Sequence, residues 1–329
     1  MSNVVYIDNL SNVTDFLSLS NKVYFEVFLS KIKVRFITNV PEVFSILELK
    51  AKCDDTISFR LERSLFTRLV TTGRIEIINN TDFVTLIFYN IKGLQLYELQ
   101  SLKQETYSGD YAHKIELLQS LDQNMFFDVS DLRTMCNLAK NNKSIISVNN
   151  GVASIHVNGS GRLFQPISVD KYFAVSADKL ALLLKISNRV FSVQDYLGVM
   201  SGNFILLVKK CIGYSNDEFS ILNEQRAAYI CDLDLANIRS LLSKIQIKSE
   251  NISLDFNRRE IGMDYAKSKL KVPLYLKNER KSEAYSLETI DFPVNVICNY
   301  LCKLNSSIVL FKKKKNFIQL EINGLYFFL

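Results

Sequence analysis

Nucleophiles and general bases are scarce in this chain. Its two histidines are His113, in the loop-like stretch SGDYAHK, and His156, in an alternating stretch that reads as a strand. Neither has a Ser or Cys with an acid in a readable triad setting, and a lone strand histidine is ordinarily structural. The spacings GxxxxGK[ST], GxGxxG, HExxH and GxSxG do not occur, so phosphate-loop, dinucleotide, zinc-protease and serine-hydrolase chemistry lack their residues. The cysteines Cys53, Cys136, Cys211, Cys231, Cys298 and Cys302 are scattered, mostly within apolar runs. Cys298 and Cys302 are four apart, but no His or second Cys pair lies near them. Free thiols in a reducing compartment are the expectation, with no metal and no cofactor.

The chemistry that the residues do offer is phosphate neutralisation. In DLDLANIRSLLSKI, positions 232–245, the apolar residues Leu235, Ile238, Leu241, Leu242 and Ile245 form one helical stripe. The opposite face holds Ala236, Ser240 and Ser243, flanked by Arg239 and Lys244, and the acids Asp232 and Asp234 are placed to cap the first turn. Four more predicted helices repeat this face. They offer Ser64, Thr67, Arg68 and Thr71; Arg133, Asn137 and Asn141 with Lys140 nearby; the row Ala181, Lys185 and Arg189; and Asn295, Asn299 and Lys303. Cations among small hydroxyl and amide side chains contact phosphates without reading bases. The rival reading is an ordinary solvated helix face, which repetition over five helices weakens. A further helix, with Ser11, Asp15 and Ser18 outward, carries no cation. The run KKKK at 312–315 reads as the guard of a strand edge, and NRRE at 257–260 as a hairpin turn.

Six helical patterns start near 9, 64, 131, 177, 232 and 293, the last with Asp291 as cap and Pro293 in the first turn. Between them the chain alternates with period two, as in KVYFEVFLSKIKVRFI, KSIISVNNGVASIHV and NFIQLEINGLYFFL, with Asn-Gly turns. Six repeats in 329 residues pair into three α+β domains, 1–120, 121–222 and 223–329, each with two helices and antiparallel sheets. A hydrophobic fraction of 48% excludes a disordered chain, and the net charge of +6 is compatible with a polyanion partner. No signal-peptide layout and no bilayer-long apolar run occurs, so a cytoplasmic protein without membrane contact is expected.

This order and spacing resemble the DNA sliding clamps, specifically the bacterial β type, including divergent phage or plasmid members. Ser160-Gly161-Arg162-Leu163 resembles part of the Gly-x-Arg-Leu-like segment of those clamps, and the chain closes on an apolar LYFFL tail as they close on a Leu. The resemblance implies a non-catalytic processivity factor. Two chains would join head to tail into a ring, helices inside, around double-stranded DNA of any sequence. The DNA contacts implied are Arg68, Arg133, Lys140, Lys185, Arg189, Arg239, Lys244 and Lys303. The polymerase and the clamp loader would dock short peptides in a groove lined by Gly161, Arg162, Leu163, Phe164, Ile221, Leu222, Leu325, Tyr326 and Phe327. Independently, period two sets Tyr326 and Phe328 on one face of the last strand and Phe327 and Leu329 on the other, so that one pair enters the core and the other lines a groove. The ring contact is expected between the strand at 83–91 and the segment 241–247. The competing function is a β-rich structural protein, such as a virion component. A monomeric viral processivity factor is a lesser one, since it would show about four units rather than six.

Overall fold

The computed structural model describes residues 2–6, 24–30, 32–40, 42–52, 56–64, 74–80, 82–89, 95–102, 114–116, 118, 121–122, 125–139, 144–157, 161–236, 239, 251–265, 268–282, 289–293, 300–304, 306 and 308–329. In chain order the strands are β1 (Ser2–Tyr6), β2 (Tyr24–Ser30), β3 (Lys33–Val40), β4 (Val43–Lys52), β5 (Ile57–Glu62), β6 (Arg74–Asn79), β7 (Phe83–Tyr89), β8 (Gln95–Leu102), β9 (Phe126–Asp128), β10 (Ile145–Asn149), β11 (Val152–Val157), β12 (Gly161–Pro166), β13 (Phe173–Ser176), β14 (Arg189–Val193), β15 (Tyr196–Ser201), β16 (Phe204–Lys209), β17 (Tyr229–Asp234), β18 (Asn251–Asp255), β19 (Glu260–Tyr265), β20 (Ser268–Pro273), β21 (Tyr275–Lys281), β22 (Ile290–Pro293), β23 (Ile308–Lys313), β24 (Ile318–Ile322) and β25 (Leu325–Phe328). Among the described residues the α-helices with both ends defined are α1 (Arg133–Ala139), α2 (Ala177–Ile186) and α3 (Glu218–Glu224). The described strand pairs are antiparallel, and the fold is α+β.

The chain divides into two compact units, residues 1–130 with 182–210 and residues 131–181 with 211–329. The middle stretch of the three-part sequence scheme thus contributes to both. In the first unit a sheet of 12 described strands runs β8-β7-β6-β1-β4-β16-β15-β14-β9, with β2, β3 and β5 attached beside β4. Period two makes one face of these strands apolar. Ile37, Phe44, Ile46, Phe191, Val193 and Leu207 close one buried cluster. Gly198 has no side chain because a Cβ there would lie 2.4 Å from the Phe191 ring.

The second unit holds a sheet of nine described strands, β13-β10-β11-β12-β25-β24-β23-β17-β21, and one of four, β20-β19-β18-β22. Both Asn-Gly turns form as expected, with positive φ at Asn150 (49°), Gly151 (71°), Asn323 (51°) and Gly324 (75°). Helix α1 buries Met135, Cys136, Leu138 and Ala139. The Cys136 thiol donates to the Ala177 carbonyl at 3.1 Å.

Several sequence expectations are corrected. The strand at 83–91 is not an edge: β7 is paired on one side with β6 and on the other with β8, and β8 ends the sheet. The helix expected from 232 begins later, because Asp232 and Asp234 lie in β17, where alternation with Leu233 and Leu235 satisfies a sheet. Asp234 still accepts the Ala236 amide at 2.9 Å, so it turns the chain out of the strand. Asp291 and Pro293 belong to β22, paired with Ser253 and Asn251, rather than to a helix start. Arg189 opens β14, so the helical row Ala181–Lys185 stops before it. The KKKK run guards no edge: β23 lies between β17 and β24, and Lys314 is 1% exposed. Helix α3 lies across the boundary that the sequence places between 222 and 223, where no helix is expected. The first predicted helix and the segment 241–247 lie outside the described residues, as does the second helix beyond Ser64.

Candidate functional site

The candidate phosphate contacts fall into three groups. Arg133 on α1, Lys185 in the last turn of α2, Arg189 at the start of β14 and Lys303 in a 3-10 turn (Leu301–Lys303) are exposed. Lys185 sits at the negative end of the helix dipole and Asp178 at the positive end, so α2 holds each charge where the dipole favours it. The Arg189 guanidinium lies 5.6 Å from the centre of the Phe126 ring, which supports it from one side. Arg239 is different. It is half-buried, and its guanidinium donates to the carbonyls of Leu301 (2.8 Å) and Ser306. That bonding ties two chain segments of the second unit together and leaves little of the charge for a phosphate. Arg68, Lys140 and Lys244 lie outside the described residues.

The groove residues meet along one strand pair. β12 and β25 align Arg162 with Phe328, Leu163 with Phe327 and Phe164 with Tyr326. Alternation then sorts them. Leu163 and Phe327 are 0% exposed and Leu325 is 1% exposed, so these three belong to the core and line no open groove. This corrects the expectation for them, and for the pairing of the last strand, in which Phe328 is also buried. Arg162, Phe164, Tyr326 and Phe328 share the other face. Gly161 makes the pairing possible: its φ is +131°, and a Cβ would lie 1.9 Å from the Phe328 carbonyl oxygen.

Helix α3 lies over that other face, and its Phe219 is the centre of an aromatic cluster. The Phe219 ring stands 5.4 Å from Phe164, 5.3 Å from Tyr326 and 6.3 Å from Phe328, the last two edge-on. Phe317 closes the far side, 5.7 Å from Phe328. Polar contacts hold both ends of the helix. Arg162 Nη1 donates to Glu218 Oε2 at 2.8 Å. Lys314 Nζ donates to the terminal carbonyls of Leu222 (2.6 Å) and Asn223 (2.9 Å), and Gln319 Nε2 donates to Asn223 Oδ1 at 3.0 Å. The chain leading into α3 is stapled by buried Asn216, which donates to the carbonyls of Ser147 (3.2 Å) and Val152 (2.6 Å) and accepts from Ser154. Ile221 is 63% exposed and Leu222 half-buried.

Burial sets the titration of this face. It pushes the Lys314 ammonium down to about 8, and the neighbouring charge of Lys312 adds to the effect. Burial, then the carboxylate of Glu321, raises the Tyr326 phenol. Burial, then Arg162, lowers the imidazole of His156, whose ring lies tilted against that of Tyr214 with 3.8 Å between centres. Elsewhere in the unit, burial pushes the Cys231 thiol up to about 12, which makes it unreactive. Among the described residues no group of three His, Cys, Asp or Glu is placed to hold a metal, and no helix is long and apolar enough to cross a membrane. Each unit therefore offers exposed cations, and the second also holds an aromatic face that α3 covers. The sequence does not single out Phe219 or Phe317, and it places Phe328 on the last strand and Lys314 in the KKKK run without bringing either to this cluster. An aromatic between acids and aliphatics in DEFSIL was the available signal for the first of them.

No protein-family model matches the chain, and neither does any curated protein. Solved structures do. The DNA polymerase III beta chain of Streptococcus pneumoniae superposes with a TM-score of 0.70 at 10% identity, covering 100% of this chain and 98% of that one. A putative DNA polymerase III beta subunit from Eubacterium rectale gives 0.69 at 10% identity, covering 100% and 99%. A DNA polymerase sliding clamp from Pseudomonas aeruginosa gives 0.68 at 10% identity, covering 100% and 99%. The chain has the sliding-clamp fold along its whole length.

Proposed function

We propose that this chain is the protomer of a DNA sliding clamp, a non-catalytic ring that encircles duplex DNA and tethers a polymerase. The carrying observation is coverage in both directions: the fold accounts for 100% of this chain and 98% of the Streptococcus pneumoniae clamp chain. On this reading the chain counts as three clamp domains, 1–120, 121–222 and 223–329. Arg133, Lys185, Arg189 and Lys303, with Arg68, Lys140 and Lys244, neutralise phosphates; Arg239 is reassigned to holding the fold. Weak contacts suffice, because a closed ring retains DNA topologically.

Ring closure falls to the sheet ends. Among the described strands β8 and β21 each end a large sheet with one hydrogen-bonded neighbour, and they are eight and seven residues long. Long single-sided strands seek a partner. β21 carries exposed Lys277, Arg280 and Lys281, while β8 carries Glu98 and no cation, so β8 of one copy suits β21 of another better than either suits itself. The polymerase and the loader dock peptides on the β12–β25 face around Arg162, Phe164 and Tyr326.

The test is retention. The protein should run at twice its 37.8 kDa chain mass and stay on nicked circular duplex, but leave when the circle is cut. Alanine at the seven cations should reduce the salt slope of binding by about 0.9 per lost contact, irrespective of base sequence. A stable monomer at micromolar concentration, or equal retention on cut and closed DNA, would overturn the proposal.

A further inference from the structure

The aromatic face that the proposed function offers to partner peptides is already occupied. Phe219 fills it, and Phe164 beneath is 0% exposed as a result. Yet α3 is a poor permanent fixture. It has seven residues, none fully buried, and no side-chain cap at its N-terminus. Its flanks, 211–217 and 225–228, have no regular structure. Ile221 stands 63% exposed on the helix, contributing nothing to the seal. The anchors of the helix itself are an exposed ion pair, Arg162–Glu218, and the bonds from Lys314 and Gln319 to the last turn; buried Asn216 fixes the chain just before it and leaves the helix to swing from that point. The cover is thus one ring and a few polar contacts over a face with three aromatic side chains. The Lys314 ammonium is bonded to the last carbonyls of α3, and an ammonium regains water when a helix leaves it.

We infer that α3 is a built-in ligand of the β12–β25 groove, which a partner's peptide displaces by inserting an aromatic or large apolar residue where Phe219 now lies and an acidic residue against Arg162. The inference rests on reading this face as the partner groove. The chemistry of the ligand is written in α3 itself: Glu218 directly before Phe219 places a carboxylate on Arg162 while the ring enters the cluster. A tethered segment acts at an effective concentration on the order of millimolar, so only a peptide with better contacts replaces it. That threshold gives selectivity, since weak apolar segments are refused.

The probe is a fluorescein-labelled peptide of residues 215–225, SNDEFSILNEQ, the chain's own segment supplied in trans. The full-length Phe219→Ala variant, with its groove vacated, should bind it at least tenfold more tightly than wild type. Adding Tyr326→Ala should abolish the gain, and a peptide with alanine in place of its Phe should not bind. Equal binding to wild type and variant, or no binding to either up to about 1 mM, would overturn the inference. Amide exchange on the wild-type chain supplies a second arm that needs no variant. Residues 218–224 should exchange at least 100-fold faster than β12 and β25 after correction for intrinsic rates. Exchange at the common rate would mean that α3 opens only when the unit unfolds, which sinks the inference. These arms do not involve DNA. A chain that binds the peptide but is not retained on circles keeps the inference about α3 and loses the clamp; a clamp whose α3 never opens does the reverse.

Discussion

The two faces of the β12–β25 pair are both apolar, and both are buried. On one face Leu163, Leu325 and Phe327 are covered by the interior of their own unit, including the Tyr300 ring 6.1 Å from Phe327. On the other, Phe164, Tyr326 and Phe328 lie under a seven-residue helix through one ring, with Phe317 against Phe328 at the rim. Residue exposure alone does not separate them, since Phe164 and Phe327 are each 0% exposed. What separates them is the number of independent segments that must move before water arrives. On the core face the whole unit must open. On the other, one short helix suffices. Local stability therefore differs across a single strand pair, and the less stable side is where binding is expected.

Truncation on the two sides breaks the comparison most directly. Phe327→Ala should destabilise the chain by about 3–5 kcal/mol, as for a large ring removed from a packed interior. Phe219→Ala should cost roughly 1–1.5 kcal/mol, half the transfer value of a fully buried ring, because Phe219 is half-buried. Urea unfolding of each variant measures both. Equal losses would mean that α3 is as much core as the strand beneath it.

The next effect belongs to Gly161. Its φ of +131° and the 1.9 Å approach to the Phe328 carbonyl make Gly161→Ala strained and obstructed at once. A loss of about 1–3 kcal/mol is expected from the backbone alone. Gly151→Ala serves as the comparison, since its φ is also positive (+71°) but a Cβ meets the Ile167 oxygen at an ordinary 3.4 Å. The Gly161 variant should lose more, and it should lose amide protection at Phe328. If the two variants lose the same, the close approach of β12 to β25 is not what requires glycine.

How much of this was readable beforehand follows from the range of each interaction. Period two and the Asn-Gly turns are local, and the hairpins β10–β11 and β24–β25 came out where they were expected. Helices α1 and α2 have apolar stripes long enough to read. The stretch 232–235 satisfies both periods, and its pairing with β21 and β23 decides for strand. The role of KKKK was misread because edge or interior is a property of the sheet, which no window of sequence contains. The groove was half legible. Arg162, Phe164 and Tyr326 were found through resemblance, whereas Lys314 caps a helix 92 residues earlier in the chain and Phe219 lies in a segment too short to show a period.

Lys314 gives a smaller effect with a defined sign. Its folded-state value of about 8 lies below the 10.5 of an ordinary lysine. Between those values the unfolded chain holds the proton and the folded chain does not, so this group makes stability rise as pH increases from 8 to 10.5. The charged groups on the neighbouring elements are Lys312 with its partner Glu321, Arg162, and Asp217, Glu218 and Glu224 of α3 or its cap. Tyr326 opposes the trend only above about 10, where its raised phenol would ionise in the unfolded chain first. The difference in urea midpoint between wild type and Lys314→Met should therefore climb between pH 8 and 10 in favour of wild type. The exchange rate of α3 amides, corrected for base catalysis, should fall over the same window. A flat difference would mean that Lys314 is not held out of water by α3.

The smallest effect sharpens the comparison from the solvent side. Arg162 and Glu218 meet at 2.8 Å with side chains 27% and 55% exposed, so water and salt screen the pair. A double-mutant cycle with Arg162→Ala and Glu218→Ala should give a coupling of about 0.2–1 kcal/mol. An effect this small is lost in the scatter of global unfolding, so the local opening of α3 is the place to look for it. The coupling should appear in the opening free energy of α3 amides and shrink as salt is raised from 0.05 to about 0.5 M. It should also be absent from the amides of β24, whose backbone pairs with β23 and β25 rather than with the helix. A coupling above about 2 kcal/mol, insensitive to salt and shared by β24, would place the pair inside a rigid network, and the two faces of β12–β25 would then be sealed alike.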